Sequence, residues 1–280
     1  MRDNKTIIGG IFMTKFITFN AQKGGVGKTA ISINWAFWLA FFGEKVCLID
    51  LDYSCNLSQH FDLYDTEGTI ENVFLQNDKP VTFHTISDNL SVVQSNRSLQ
   101  QINSDIQNKH NRDLILFLWI DANPEIFNKF DYVVFDTHND FSSITKNAIL
   151  VSDLLLSPIE PSEGGISAKD NLDIDFEMFQ KELVDPITKR TYVQAKKLYF
   201  LNIIDNRTNA SRKLVERSKS FDDIGAIMPR KQLIVDSISN KFPVVEMEHS
   251  DDSALRKHKN FYKIYNEVFQ YFKDQADNVS

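Results

Sequence analysis

The sequence predicts an α/β fold, a doubly wound and mainly parallel sheet flanked by helices. Three observations carry that expectation. Short apolar runs recur along the chain with almost no polar alternation, as in parallel strands buried on both faces. These runs alternate with stretches of helical periodicity. Between the first two runs, a glycine-rich turn opens directly into an apolar helix, the arrangement of a βαβ unit.

In chain order, the first strand is KFITF (Lys15–Phe19) and the turn is NAQKGGVGKT. TAISINWAFWLAFF follows, apolar almost all round and closed by Gly43 as the residue after the cap, which marks a buried crossover helix. KVCLI (Lys45–Ile49), YVVF (Tyr132–Phe135), LLLSPI (Leu154–Ile159), LYFLNII (Leu198–Ile204) and AIM (Ala226–Met228) are the later strands. The stretch from Gln76 to Asn111 is polar and reads as peripheral, and Asp185 to Lys196 reads as a loop or insertion. No linker, repeat or low-complexity tract divides the chain, so residues 15–280 read as one domain. Met13 opens MTKFITFN, and residues 1–14 read as a flexible N-terminal extension.

Composition narrows the class. With 42% hydrophobic and 25% charged residues in a chain of 280, a sizeable core is affordable, and 22 phenylalanines predict an aromatic one. No apolar run approaches the roughly 20 residues that span a bilayer. Two cysteines, Cys47 and Cys55, have neither metal nor disulfide-framework spacing, which fits a reducing cytoplasm. The net charge of −7 argues against a chain-wide nucleic-acid binder. The charge is unevenly spread, however: from Lys181 onward there are 18 Lys/Arg against 14 Asp/Glu, and before it 13 against 24.

The chemistry concentrates in the glycine-rich turn. Backbone N–H groups at a helix N-terminus cradle phosphate oxygens, and Gly24, Gly25 and Gly27 leave room for that approach around Val26. Lys28 places an ammonium on the β- and γ-phosphates, and the Thr29 hydroxyl can ligate Mg²⁺. Gln22 stands where the common spacing has its first glycine, so the loop is a variant that still predicts a bound nucleoside triphosphate. Asp50, Asp52 and Asp136 each end a predicted parallel strand, and open α/β sheets bind ligands at that edge.

KGGVGKT at 23–29 resembles the deviant Walker A motif of the ParA/MinD class of P-loop ATPases. LIDLDYSCNLS (Leu48–Ser58) is similar to the family's Asp-x-Asp motif and FDYVVFDT (Phe130–Thr137) to its Walker B. TIENVF, LSPIEPSEGGISA, NIIDNRT and the late MPR extend the resemblance from about Lys15 to Phe272. It implies ATP and Mg²⁺ as cofactors. Asp136 would hold Mg²⁺ through water, Asp50 would assist at the metal, and Asp52 would orient the attacking water. Lys23, the signature lysine, would reach phosphates bound by the partner chain of an ATP-dependent homodimer. Asn202 and Pro229 would line the adenine pocket.

Three departures stand out. Ala30 replaces a second threonine, Tyr53, Ser54 and Cys55 replace Pro-Gln-Gly, and His138 and Asn139 replace a proline pair. Within the class, the closest pattern is that of a small partition ATPase, cytoplasmic and nucleoid-associated. It would bind DNA nonspecifically and be released when a ParB-like centromere-binding protein stimulates a slow hydrolysis. Arg207, Arg212, Lys213, Arg230, Lys231, Lys241, Lys257 and Lys259 are the candidate phosphate contacts. With no helix-turn-helix-sized segment before Lys15, operator-specific repression is not expected. A MinD-like positioning ATPase is the alternative, on the strength of an amphipathic C-terminal face of Phe261, Ile264, Val268 and Phe272. A packed closing helix accounts for that face better. A P-loop kinase or synthetase acting on a small molecule is the contrasting class.

Overall fold

Strands that are apolar on both faces lie in the middle of the sheet, and those that alternate lie at its edges. The computed structural model describes residues 14–250 and 252–279, so the expected N-terminal extension falls outside them except for Thr14. Thr14 itself is buried, with its hydroxyl donating to the carbonyls of Phe127 and Phe130.

The elements are β1 (Lys15–Phe19), α1 (Lys28–Phe41), β2 (Val46–Leu51), α2 (Asn56–His60), α3 (Glu71–Leu75), β3 (His84–Ser87) and β4 (Leu90–Val93). Then come α4 (Leu99–Ile106), α5 (Ile115–Ala122), α6 (Pro124–Phe127), β5 (Tyr132–Thr137), α7 (Ser143–Val151), β6 (Leu154–Ile159) and α8 (Glu163–Glu182). The chain closes with β7 (Lys196–Ile204), α9 (Asn209–Ser218), β8 (Ile224–Pro229), α10 (Gln232–Ser239), α11 (Val244–Ser250) and α12 (Asp252–Asp277).

Among the described residues the strands form one sheet in the order β3-β4-β2-β5-β1-β6-β7-β8. Every neighbouring pair is parallel except β3–β4. β2, β5 and β6 are buried at every residue, whereas β3 alternates. The six expected strands are all present, two with the expected limits. The stretch from Gln76 to Asn111 departs from expectation: it contributes the β3–β4 hairpin, and Leu90, Val92 and Val93 of β4 are core residues. Four-residue strands among polar neighbours leave too little periodicity to read.

α1 ends as its sequence dictates. Gly43 takes φ 95°, its N–H donates to the Ala40 carbonyl, and the Glu44 N–H donates to that of Leu39, the paired bonds of a Schellman cap. The helix and α12 both pack on the sheet and meet through Trp35 and Phe272. Trp35 meets Phe19, Tyr132 and Phe272 edge-on at 5.8 to 6.2 Å, and its indole N–H donates to the Phe269 carbonyl. Of the amphipathic C-terminal face, Phe261, Val268 and Phe272 are buried in this core, and only Ile264 is substantially exposed. α12 therefore closes the fold. Among the described residues no helix is long and apolar enough to cross a membrane.

Because Phe272 fills the junction of α1, α12 and the sheet, Phe272→Ala is expected to lower the unfolding free energy by about 3–5 kcal/mol in urea titrations. A loss below about 0.5 kcal/mol would mean that α12 is an appendage.

Candidate functional site

The glycine-rich loop runs from the end of β1 to the first turn of α1. Gly25 and Gly27 take φ 77° and 82°, a region costly for any side chain. Gly27 has a second constraint: a Cβ there would stand 2.6 Å from the Asn202 amide nitrogen. That amide donates to the Val26 carbonyl at 2.7 Å. Asn202 is aimed at the loop by an irregularity in β7, where the register against β8 shifts between Leu201 and Ile204 and Ile203 adopts φ 59°. A β-branched residue in that region is strained, and the bulge re-aims its neighbour. Asn202 thus braces the phosphate loop, and Pro229 ends β8 paired with Ile204.

Strand register brings the carboxylates together. Asp136 of β5 pairs with Phe19 on one side and Asp50 on the other. Lys28 Nζ lies 3.2 Å from Asp136 Oδ1 and also donates to the Thr137 carbonyl, while the Thr29 hydroxyl donates to Asp136 Oδ2 at 2.6 Å. Lys28, Thr29 and Asp136 therefore form one cluster, with Lys28 and Asp136 both buried. Burial raises the Asp136 carboxyl above its ordinary value against the opposing pull of Lys28 and Thr29.

Asp50 is tied differently. Its Oδ2 accepts from the Ser58 hydroxyl (2.6 Å) and N–H (2.9 Å), and its Oδ1 from the Asp52 N–H (2.9 Å). Burial pushes it up to about 7, with the Asp136 charge adding to the shift and the Ser58 bond opposing it. Its oxygens are thus engaged in holding α2 and the loop after β2.

Asp52 accepts on Oδ1 from the Ser54 N–H (2.7 Å) and from His138 Nδ1 (2.8 Å). Tyr53 stacks on His138 with centroids 3.9 Å apart, and its hydroxyl lies 2.6 Å from Nε2. Sequence reasoning noted both residues as departures and missed that they meet.

Lys23 stands at the rim. Within its own chain it pairs with Glu160 and donates to the Ser162 hydroxyl at 2.7 Å. Burial alone would raise the Glu160 carboxyl, but the hydrogen bonds from Lys23 and Ser162 outweigh it and hold it below its ordinary value. Ser162 also caps α8. Gly164 allows the approach, since a Cβ there would stand 3.1 Å from Lys23 Nζ. Glu160 and Ser162 lie in the LSPIEPSEGG segment already singled out, but nothing in sequence spacing names them as partners of Lys23. Ala30 offers only its carbonyl, to Asn34. Gly24 faces the Asn139 amide.

The basic candidates are distributed over several elements. Arg212 and Lys213 lie on α9, Arg230 and Lys231 between β8 and α10, and Lys257 and Lys259 on α12. Two are neutralised locally: Arg207 forms a two-point pair with Asp205, whose carboxyl it holds down to about 2, and Lys241 pairs with Asp62 at 2.5 Å.

The donors present suit a magnesium–nucleotide pair. Among the described residues no group of three or more His, Cys, Asp or Glu forms a metal cage. Mg²⁺ beside phosphates needs only one or two protein oxygens, which Thr29 and Asp136 would supply. Two buried carboxylates on adjacent strands, both raised by burial, are also the electrostatic condition that a divalent cation relieves.

A family model described as AAA domain matches residues 14–189, well over half of the chain. The chain belongs to this family as a ParA/MinD-type P-loop ATPase. The sporulation initiation inhibitor protein Soj of Bacillus subtilis (strain 168) is 23% identical over 83% of this chain and 91% of its own. The chromosome partitioning protein ParA of Myxococcus xanthus is 26% identical over 74% and 71%. A crystal structure of a putative plasmid partition protein from Borrelia burgdorferi bound to AMPPNP superposes with a TM-score of 0.70 at 20% identity, covering 91% of this chain and 99% of that one.

Gly27→Ala should disable this ATPase by two routes, a positive φ and the collision with Asn202. ATP-analogue affinity is expected to fall about tenfold or more by fluorescence titration, with far-UV circular dichroism unchanged.

Proposed function

We propose that this ATPase partitions DNA: ATP and Mg²⁺ assemble a sandwich homodimer that binds DNA nonspecifically, and hydrolysis stimulated by a centromere-binding partner releases it. The observation that carries this reading is the division of labour between two lysines of one loop. Lys28 is committed to the nucleotide site of its own chain, beside Asp136 and Thr29. Lys23 is held at the rim, its side chain about one-third exposed and its ammonium engaged by the partly exposed Glu160 and Ser162. A phosphate on a facing copy would offer Lys23 more negative charge than Glu160 does, so binding of nucleotide and of the second chain would be one event.

In this cycle Lys28 and the loop N–H groups bind the β- and γ-phosphates, and Asn202 keeps the loop in shape. Thr29 and Asp136 would hold Mg²⁺, which neutralises developing charge on the transferred phosphoryl group. Asp52 orients the attacking water. Phosphate-directed contacts from Arg212, Lys213, Arg230, Lys231, Lys257 and Lys259 would carry DNA binding. Arg207 and Lys241 would contribute less, because each already has a carboxylate partner. The positioning alternative loses its main support, since the apolar face of α12 is packed in the core.

The test measures binding to random-sequence DNA and to anionic vesicles, with ATP, ADP or a non-hydrolysable analogue, between 50 and 200 mM salt. The expected result is DNA binding with ATP or the analogue only, weakening about tenfold or more across that range. Vesicle binding, or DNA binding indifferent to nucleotide, would overturn the reading. Lys23→Ala should abolish ATP-dependent dimers in light scattering while retaining nucleotide. Glu160→Gln, which frees Lys23, should shift dimerisation to lower ATP concentration.

A further inference from the structure

Both loops that follow the acidic strands depart from the family pattern, each at the residue directly after its motif, and the two replacements touch. Leu51 and Thr137 are paired in the β2–β5 register, so the next residues, Asp52 and His138, leave the sheet side by side. His138 Nδ1 is 2.8 Å from Asp52 Oδ1. With Asp52 as the acceptor Nδ1 is the donor, and in a neutral ring Nε2 is then the acceptor. The Tyr53 hydroxyl, 2.6 Å from Nε2, supplies the matching donor, and the 3.9 Å stack fixes the ring plane. The imidazole is therefore held on three sides. Its own carbonyl accepts from Asn20 Nδ2 at 2.9 Å, which ties the same residue to the base of the phosphate loop.

The consequence falls on Asp52. Its Oδ1 takes both the Ser54 N–H and His138, while Oδ2 is hydrogen-bonded to none of the described residues. One oxygen is thereby pinned and the other left for a water, the orienting logic of an Asp–His pair with the roles exchanged. Prolines at 53 and 138 could form neither the hydrogen bonds nor the stack.

We propose that His138 is a positioning residue of this ATPase: clamped by Tyr53, it fixes Asp52 for the attacking water and makes the loops after β2 and β5 move as one unit. This rests on the hydrolytic role of Asp52 given above. It predicts that His138 matters for the chemical step and not for nucleotide binding.

The experiment uses the full chain with His138→Leu, His138→Asn and Tyr53→Phe. It reads ATP-analogue affinity, single-turnover hydrolysis, and the histidine tautomer from long-range ¹H–¹⁵N spectra. His138→Leu is expected to slow hydrolysis about tenfold or more with affinity changed less than about twofold. His138→Asn, whose amide nitrogen falls near the place of Nδ1, should recover most of the rate, and Tyr53→Phe should lie between. The wild-type ring should show the Nδ1–H tautomer. Wild-type turnover in His138→Leu, failure of His138→Asn to rescue, or an Nε2–H tautomer would each overturn the proposal. A wild-type protein that binds nucleotide without hydrolysing it would instead defeat the hydrolytic reading, and the tautomer would then decide the clamp by itself.

Discussion

The buried pair of Lys28 and Asp136 is the interaction around which the site is organised. Neither charge could stay ionised at that depth alone, because desolvation of a lone ammonium or carboxylate costs several kcal/mol. The pair is possible because β5 lies between β2 and β1, which delivers Asp136 to the point where α1 begins. Thr29 and the Thr137 carbonyl complete the shell around it. A buried ion pair adds little stability over an apolar replacement, so its value here is positional. In the proposed cycle the ammonium and the carboxylate hold the places where phosphate and cation arrive, and the bound ligand takes over their neutralisation.

That arrangement explains why the three aspartates, alike in sequence position, differ in chemistry. Asp136 faces a cation of its own chain. Asp50, one strand away, faces no lysine and is pushed up to about 7, its oxygens occupied by Ser58 and the Asp52 N–H. It acts as a strut that anchors α2 and shapes the following loop, and its raised carboxyl makes the neighbourhood receptive to added positive charge. Asp52, past the strand end, is also buried, but it spends only Oδ1 on protein hydrogen bonds and keeps Oδ2 unengaged among the described residues. The register of β2 against β5 thus brings two sequence motifs together and gives their three aspartates three environments.

Much of this was legible in the chain. β1 and β6 have their expected limits because near-continuous apolar runs flanked by polar residues leave little choice. The phosphate loop was legible because its glycines answer a local backbone demand. The β3–β4 hairpin was not, since it is short and takes its burial from β2 rather than from its own pattern. The His138 contact with Asp52 joins residues 86 apart in sequence and depends on strand register, which no window along the chain reports. Asn202 is expected at the adenine pocket, and its hydrogen bond to Val26 beside the bulge at Ile203 is not legible in the sequence. Apart from the hairpin, what escaped the sequence is a contact made by tertiary placement of a polar side chain.

The pairing of Lys23 with Glu160 bears on how such an ATPase can be switched at small cost. A deeply buried partner would trap the lysine, while a free lysine would leave copies sticky in the absence of nucleotide. Glu160 and Lys23 are both partly exposed, and a pair in that setting is worth about 1 kcal/mol or less. This is enough to park the side chain against Ser162 and the glycines that open α8, and in the proposed dimer it would be little enough for a triphosphate on a facing copy to displace it. If Lys23 were drawn away in this way, the Glu160 carboxylate would lose the cation that helps hold its pKa down and keep only the Ser162 hydrogen bond. In the proposed cycle the same residue that restrains the lysine before assembly would then favour its return when the phosphate charge is lost.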